Sequence, residues 1–150
     1  MFFEQQHNKP GEVKLMNTGS CGVFVKSLED EFMEVRTAGV DSLCELANQN
    51  PQFARMSTDF LVDMFNDEIE SVRLNSIHSL IKLHRFVDLR EDQLDTILEC
   101  LNDFNQVVRN SVRDLISQCE MATQSCLYAT VLALLANLKK YPNDRESIWR

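Results

Sequence analysis

Glycine and proline are scarce in this chain, 4 and 3 in 150 residues. That removes collagen-like, linker-like and turn-dense β architectures and leaves a composition that favours helices. Clustered positive charge is missing too: Lys139 and Lys140 are the one adjacent Lys/Arg pair, and the formal net charge is −8. A phosphate backbone or an anionic membrane surface is held by grouped Lys and Arg, so neither is an expected partner. No apolar run approaches the roughly 20 residues that cross a bilayer. The opening Met1-Phe2-Phe3-Glu4 has neither the basic region nor the apolar stretch of a signal peptide. The five cysteines, Cys21, Cys44, Cys100, Cys119 and Cys126, are odd in number, irregularly spaced and without a CxxC. They fit neither a disulfide framework nor a zinc site, so reduced thiols in a soluble intracellular protein are expected. What remains, 44% hydrophobic and 25% charged, is enough for one globular domain.

The feature that is present is a repeat. An aspartate stands six residues ahead of an arginine, with a valine just before the arginine, three times: Asp30 with Val35 and Arg36, Asp67 with Val72 and Arg73, Asp103 with Val108 and Arg109. The arginines are 37 and 36 residues apart. A period of that length built from paired helical patterns marks a helical solenoid, in which function resides in a surface rather than a pocket.

The apolar spacing supplies the pairs. Residues 1–14 are polar and contain Pro10-Gly11, which predicts a poorly ordered lead-in before a solenoid over 15–150. The first repeat, about 15–48, joins the i, i+3, i+4, i+7 pattern of Cys21, Phe24, Val25 and Leu28 to a second stripe through Phe32, Val35, Gly39, Leu43 and Leu46. The second, about 51–86, opens at Asn50-Pro51, a capping asparagine before a proline at the first helical position. It pairs Phe53, Met56, Phe60, Leu61, Met64 and Phe65 with Val72, Ser76, Ile77, Leu80, Ile81 and Leu83. In the third, about 89–119, Asp88 and Glu91 read as a capping box ahead of Leu94, Ile97, Leu98 and Leu101. Its partner helix carries Val108, Val112, Leu115, Ile116 and Cys119. A partial fourth, 123–150, starts at Thr123 and lays down Leu127, Val131, Leu134, Leu135 and Leu138 before Tyr141-Pro142, after which Asp144 to Arg150 reads as a first helical turn.

The signature has a mechanical reading. An aspartate ahead of the second helix favours the positive end of its dipole and accepts backbone amides, while an arginine in the first turn of that helix can fork onto the aspartate of an adjacent copy. Gly39, Ser76 and Ser111 are read as the small residues that let helices approach. Ser111 lies two residues past its arginine, whereas Gly39 and Ser76 lie three past theirs. A one-residue slip or a distorted helix start near Val107-Val108 is therefore expected. Neither end carries a polar capping repeat, which predicts a chain that is marginally stable or self-associates.

Catalytic chemistry is hard to find. His78 and His84 are six apart and so point to different helical faces, unlike the i, i+4 pair of a zinc helix. There is no glycine-rich phosphate loop and no nucleophile elbow. Cys119 and Cys126 straddle a helix break and are expected to pack as small apolar residues. No catalytic residue, cofactor or metal is predicted. An all-helical enzyme would need a convergent polar pocket that these residues do not outline.

A surface function fits better. Second helices of stacked repeats line one concave face, so their polar residues should form rows. Taking the slip into account, the rows are Asp41, His78 and Arg113, and Glu45, Lys82 and Ser117, running from acid to base. Glu29, Asp30, Glu31, Glu34, Asp41 and Glu45 against Arg36 make the first repeat strongly acidic. The rows are a solvated face or, more specifically, a candidate partner face that steers a partially basic protein.

The Asp, Val-Arg and small-residue pattern resembles the HEAT repeat of the HEAT/armadillo class, and longer stretches are more specific. Gly22-Val23-Phe24-Val25, Leu28-Glu29-Asp30-Glu31, the run from Asp59 to Glu70, Leu89-Arg90-Glu91-Asp92-Gln93-Leu94-Asp95, Lys140-Tyr141-Pro142, Asp144-Arg145 and Ser147-Ile148-Trp149 resemble the HEAT-repeat region of the Integrator complex subunit 4 family. The likeness runs over about 16–150, while the family protein is much longer. It implies an all-α solenoid with a non-catalytic scaffold role in the nuclear Integrator complex, which acts with RNA polymerase II to cleave small nuclear RNAs. In that family the partners are the endonuclease pair, subunits 9 and 11. The repeats alone would also allow a HEAT adaptor of the transport or phosphatase-regulatory kind.

Overall fold

The computed structural model describes residues 20–121 and 123–148. The polar lead-in expected over 1–14 lies outside the described residues. Among the described residues eight helices follow one another: α1 Ser20–Ser27, α2 Met33–Gln49, α3 Pro51–Asp63, α4 Glu70–Leu83, α5 Glu91–Glu99, α6 Gln106–Gln118, α7 Gln124–Lys140 and α8 Arg145–Ile148. Short 3-10 turns at Met64–Asn66, His84–Phe86, Cys100–Asn102 and Pro142–Asp144 end α3, α4 and α5 and precede α8. No strand occurs among the described residues. The fold is an all-α helical repeat: α2, α4 and α6 stack one on the next, and α3, α5 and α7 do the same beside them.

Local chemistry fixes the helix starts. The Asn50 side chain accepts from the amides of Gln52 and Phe53, with Pro51 at the first position of α3, so two orphan donors of that helix are satisfied. Thr123 Oγ1 accepts from the Cys126 amide at 3.1 Å and caps α7. The start of α5 differs from the expected Asp88–Glu91 box. Val87 and Leu89 are buried and hold that segment extended, so the helix begins at Glu91, and the Arg90 amide donates to Gln93 Oε1 at 2.9 Å. The side chain that reaches back is thus Gln93, two residues later than the sequence suggested.

One core runs through the stack. Val40, Leu43, Leu61, Val72, Ile77, Leu80, Leu83, Ile97, Val108, Val112 and Leu115 are fully buried. Completely burying an aliphatic side chain stabilises by about 1.5–3 kcal/mol, and it does so without regard to direction. Gly39 is the closest approach at the first pair. A Cβ there would run into Ser27 Oγ and come within 3.2 Å of the Phe24 carbonyl oxygen, so only glycine lets α2 lie this close to α1.

Candidate interaction site: the turn ladder and the face it holds

Each signature aspartate does its first job locally. Asp30, Asp67 and Asp103 accept through Oδ1 from the amide two residues on, Phe32, Ile69 and Asn105, each at 2.9 Å. Those three residues are the N-caps of α2, α4 and α6, and the first two have no side-chain cap of their own. The aspartate supplies the acceptor that Phe32 and Ile69 lack.

The arginines tie the turns together. Arg36 Nη1 donates to the carbonyls of Asp30 and Glu31 at 2.9 and 3.2 Å, while Nε and Nη2 fork onto Asp67 of the next pair at 2.8 and 3.1 Å. Arg73 repeats this, with Nη1 on the Asp67 and Glu68 carbonyls and Nε on Asp103 at 2.9 Å. Arg109 does so again on Asp103 and Phe104, and its Nε reaches Asp144 at 2.7 Å. The planar guanidinium suits the task, because its fixed fork of donors serves two carbonyls and a carboxylate at once. The pairs are largely shielded from water, with side chains 9% and 8% exposed for Arg36 and Asp67 and 7% and 1% for Arg109 and Asp144. The hydrogen bond from Arg109 holds the Asp144 carboxyl below the usual aspartate value, against the opposing effect of burial.

The expected slip at the third copy is absent. In every copy the N-cap falls two residues after the aspartate and the arginine four after the N-cap, and α6 is regular from Gln106 onward. What differs is which residue fills each place. Val112, fully buried, occupies the place of Gly39 and Ser76. Ser111 occupies that of Asn75, and the contacts agree: Asn75 Nδ2 donates to Asp41 Oδ1 at 3.0 Å, and His78 Nε2 lies 3.2 Å from Ser111 Oγ.

This register moves the predicted rows. Asp41, Glu45, His78 and Lys82 are exposed on α2 and α4, but the residues that continue them on α6 are Asp114 and Gln118. Arg113 does not belong to that face. It is 4% exposed and sits in the core register of Val40 and Ile77. Its Nε and Nη2 donate to Asn137 Oδ1 at 3.2 and 2.7 Å, its Nη1 to Asn110 Oδ1 at 2.6 Å, and its Nη2 also to Asp144. Asn137, 2% exposed, takes the place of the buried Phe65 and Leu101 and donates to the Leu101 carbonyl. Two core positions of the last seam are therefore polar and face each other. The run of Asn137, Asp144 and a buried-register Arg113 was the available signal, and it is visible only once the period is counted from the arginines.

The apolar side of α7 is partly open, and polar residues take inward places on it. Leu127, Val131 and Leu135 are about half exposed, whereas Cys126, Thr130 and Asn137 turn inward. Among the described residues no group of three or more His, Cys, Asp or Glu side chains is placed to hold a metal ion. Burial pushes the Cys100 and Cys119 thiols up to about 11, which keeps them protonated and unreactive near neutral pH. His84 has its Nδ1 2.7 Å from the Ile81 carbonyl, a locally satisfied histidine. No described helix is long and apolar enough to cross a membrane.

Comparison with known proteins adds the sequence context of this face. No family model matches the chain. The chain is 51% identical over 140 residues to Integrator complex subunit 4 of Xenopus laevis and 49% identical over the same length to that of Homo sapiens, in each case 93% of this chain and 14% of the relative. It is 47% identical over 137 residues to the Integrator complex subunit 4 homolog of Dictyostelium discoideum, covering 91% of the chain and 11% of the relative. The chain thus spans about a seventh of the length of the curated relatives it matches.

Proposed function

We propose that this chain, which belongs to the Integrator complex subunit 4 family and matches one segment of it, is a non-catalytic scaffold of the nuclear Integrator complex, presenting a rigid row of second helices to protein partners. The observation that carries this reading is the ladder Arg36–Asp67, Arg73–Asp103 and Arg109–Asp144. A chain of shielded ion pairs, forked at Arg36 and Arg109, holds successive helices in one register, which is what a scaffold needs and a catalyst does not. The surface so held is polar, with Asp41, Glu45 and Asp114 outnumbering Lys82 as fixed charges and His78 among them. Such a face suits a partner with basic side chains. Within the family the candidates are the endonuclease subunits 9 and 11, whose RNA-cleaving chemistry would be positioned rather than performed by this segment.

Affinity purification of the tagged chain from nuclear extract tests the reading. Recovery of subunits 9 and 11 is the expected result. Recovery of nuclear-transport receptors or phosphatase subunits in their place would favour a general HEAT adaptor. Charge reversal sharpens it: Asp41→Lys with Glu45→Lys should weaken capture and its salt dependence while lowering the melting temperature only slightly, since both side chains are exposed and the one contact between helices lost is the surface hydrogen bond from Asn75 to Asp41. Capture that ignores both salt and the substitutions would rule out the electrostatic face.

A further inference from the structure

The fourth turn is longer than the two before it. Phe65 and Leu101 stand two residues ahead of Asp67 and Asp103, whereas Asn137, in the same place, stands seven ahead of Asp144. An Asn-Asp pair closes each of these turns, Asn66-Asp67, Asn102-Asp103 and Asn143-Asp144, so the five extra residues are 138–142. They carry α7 on to Lys140 and fold back onto the third turn. Tyr141 Oη donates to the Asn102 carbonyl at 3.2 Å, Lys140 Nζ donates to Asn102 Oδ1 at 3.2 Å, and the Arg109 guanidinium lies 3.8 Å from the centre of the Tyr141 ring. Between the third and fourth turns the insertion walls a cavity of about 210 Å³, lined also by Gln106, Arg109 and Asn143.

The third turn differs beside that cavity. One residue past the aspartate, Glu31 and Glu68 give way to Phe104, which is 100% exposed and whose carbonyl is held by Arg109. Four past it, Glu34 and Ser71 give way to Val107, 55% exposed. These places are open by the design of the repeat. Glu68 and Ser71 are exposed in the second copy, which has a helix pair on either side, and in a solenoid each repeat touches only its neighbours. A phenylalanine and a valine therefore occupy places that stay in water even inside the stack. One exposed apolar residue means little, but two of them beside a cavity make a patch that binding would cover.

Charge narrows what covers it. The insertion holds the one adjacent Lys/Arg pair of a chain whose net charge is −8, and Arg145 follows it. Lys139 and Arg145 are exposed, Lys140 is tied to Asn102 in the cavity wall, and Glu146 is the exposed acid beside them. The sign is opposite to that of the acidic first repeat.

We propose that Phe104, Val107 and the cavity under the 138–142 insertion form a second docking surface, for a short protein segment in which an acidic side chain stands next to a large apolar one. The apolar side chain packs on Phe104 and Val107, and the carboxylate faces the cavity mouth with Lys139 and Arg145. This surface is separate from the face of α2 and α4 and takes a partner of the opposite charge.

A random peptide library displayed on phage, selected on the 150-residue chain and counter-selected on its Phe104→Ser variant, tests this. The recovered sequences should set Asp or Glu beside Phe, Leu or Trp. A synthetic peptide of their consensus, followed by fluorescence anisotropy, should bind roughly tenfold or more weakly to Phe104→Ser. Lys139→Glu combined with Arg145→Glu should cost about threefold to tenfold, and that loss should fade at high salt. Phe104→Ser keeps the carbonyl that Arg109 uses, and an unchanged melting temperature verifies folding. Moving the aromatic to the second turn, as Glu68→Phe in the Phe104→Ser protein, should not restore binding, because that turn lacks the insertion. Restored binding would mean that any exposed aromatic suffices, which overturns the proposal. So would a library that yields no Phe104-dependent peptide, or one whose Phe104-dependent peptides are basic. Binding of single-stranded RNA that Phe104→Ser weakens in the same proportion would assign the patch to nucleic acid and overturn it as well.

Discussion

The seam between the first two helix pairs and the seam between the last two solve the same problem with different chemistry. In the first, Val40, Leu43, Ile77 and Leu80 meet as fully buried aliphatics, and Arg36 closes the edge on the shielded Asp67, with the exposed Glu68 at 4.0 Å. In the last, the places of Val40 and Phe65 are taken by Arg113 and Asn137, and Asp144 receives two arginines. An aliphatic seam gains stability in proportion to area and tolerates small shifts. A buried polar seam is satisfied in one arrangement only, so it specifies register while adding little net stability. The stack is thus held loosely in angle at one end and tightly at the other.

The comparison breaks most sharply at Asp144. Asp144→Ala takes the shared carboxylate from the buried Arg109 and Arg113. Removing one partner from a buried charge network costs on the order of 3–5 kcal/mol. Urea unfolding followed by circular dichroism should show that loss, with the midpoint falling and the slope preserved. A loss below about 1 kcal/mol would mean that the network is solvated and contributes as a surface pair does.

Converting the polar seam into an aliphatic one should have a smaller effect of opposite sign. Arg113→Met combined with Asn137→Leu puts apolar side chains in the places that Ile77 and Leu101 hold in the preceding pairs and leaves Asp144 with Arg109. Well-packed apolar replacement of a buried ionic group is often neutral or stabilising, by about 1–4 kcal/mol. Asn137→Leu alone should instead destabilise, because it takes the shared Oδ1 acceptor from Arg113. If the double variant is also less stable than either single one, volume rather than polarity decides that seam. A double-mutant cycle on the melting temperature separates the two outcomes.

How much of this was legible in the sequence depends on the kind of signal. The period, the helix pairs and the caps at Asn50-Pro51 and Thr123 were readable, because apolar spacing and capping chemistry are local. The bond from each arginine to the next aspartate was readable as well, since a guanidinium six residues after an aspartate in every copy has few other uses. Arg113 was not. A charged residue on an amphipathic helix is ordinarily assigned to solvent, and the error was compounded by aligning Ser111 with Ser76. One residue of misalignment turns an α-helix by about 100°, which carries Arg113 from the core onto the face that Asp114 occupies. An open apolar side was expected on α7, whereas the inward turn of Thr130 and Asn137 was missed for a related reason. An apolar stripe shows which residues seek cover without showing which polar ones take their place in the core.

The smallest expected difference between the seams is one of acid sensitivity. Arg109 and then Arg113 hold the Asp144 carboxyl below the ordinary aspartate value of 3.8, while burial acts the other way. A carboxyl whose folded value lies below its unfolded one adds stability that is fully present above the unfolded value and is lost as pH falls through the folded one. The last seam should therefore weaken progressively below about pH 4, and Asp144→Asn should flatten that slope while costing stability at neutral pH. Asp59 and Asp92 are also lowered, by Arg90 on the surface, so the chain as a whole retains some acid dependence. The informative quantity is the difference between the two proteins, measured as unfolding midpoint against pH. It should shrink as the pH drops below 4 and be constant from there to neutrality. A difference that stays the same at every pH would mean that Asp144 contributes through hydrogen bonding alone, and that charge plays no part in setting the register of the last pair.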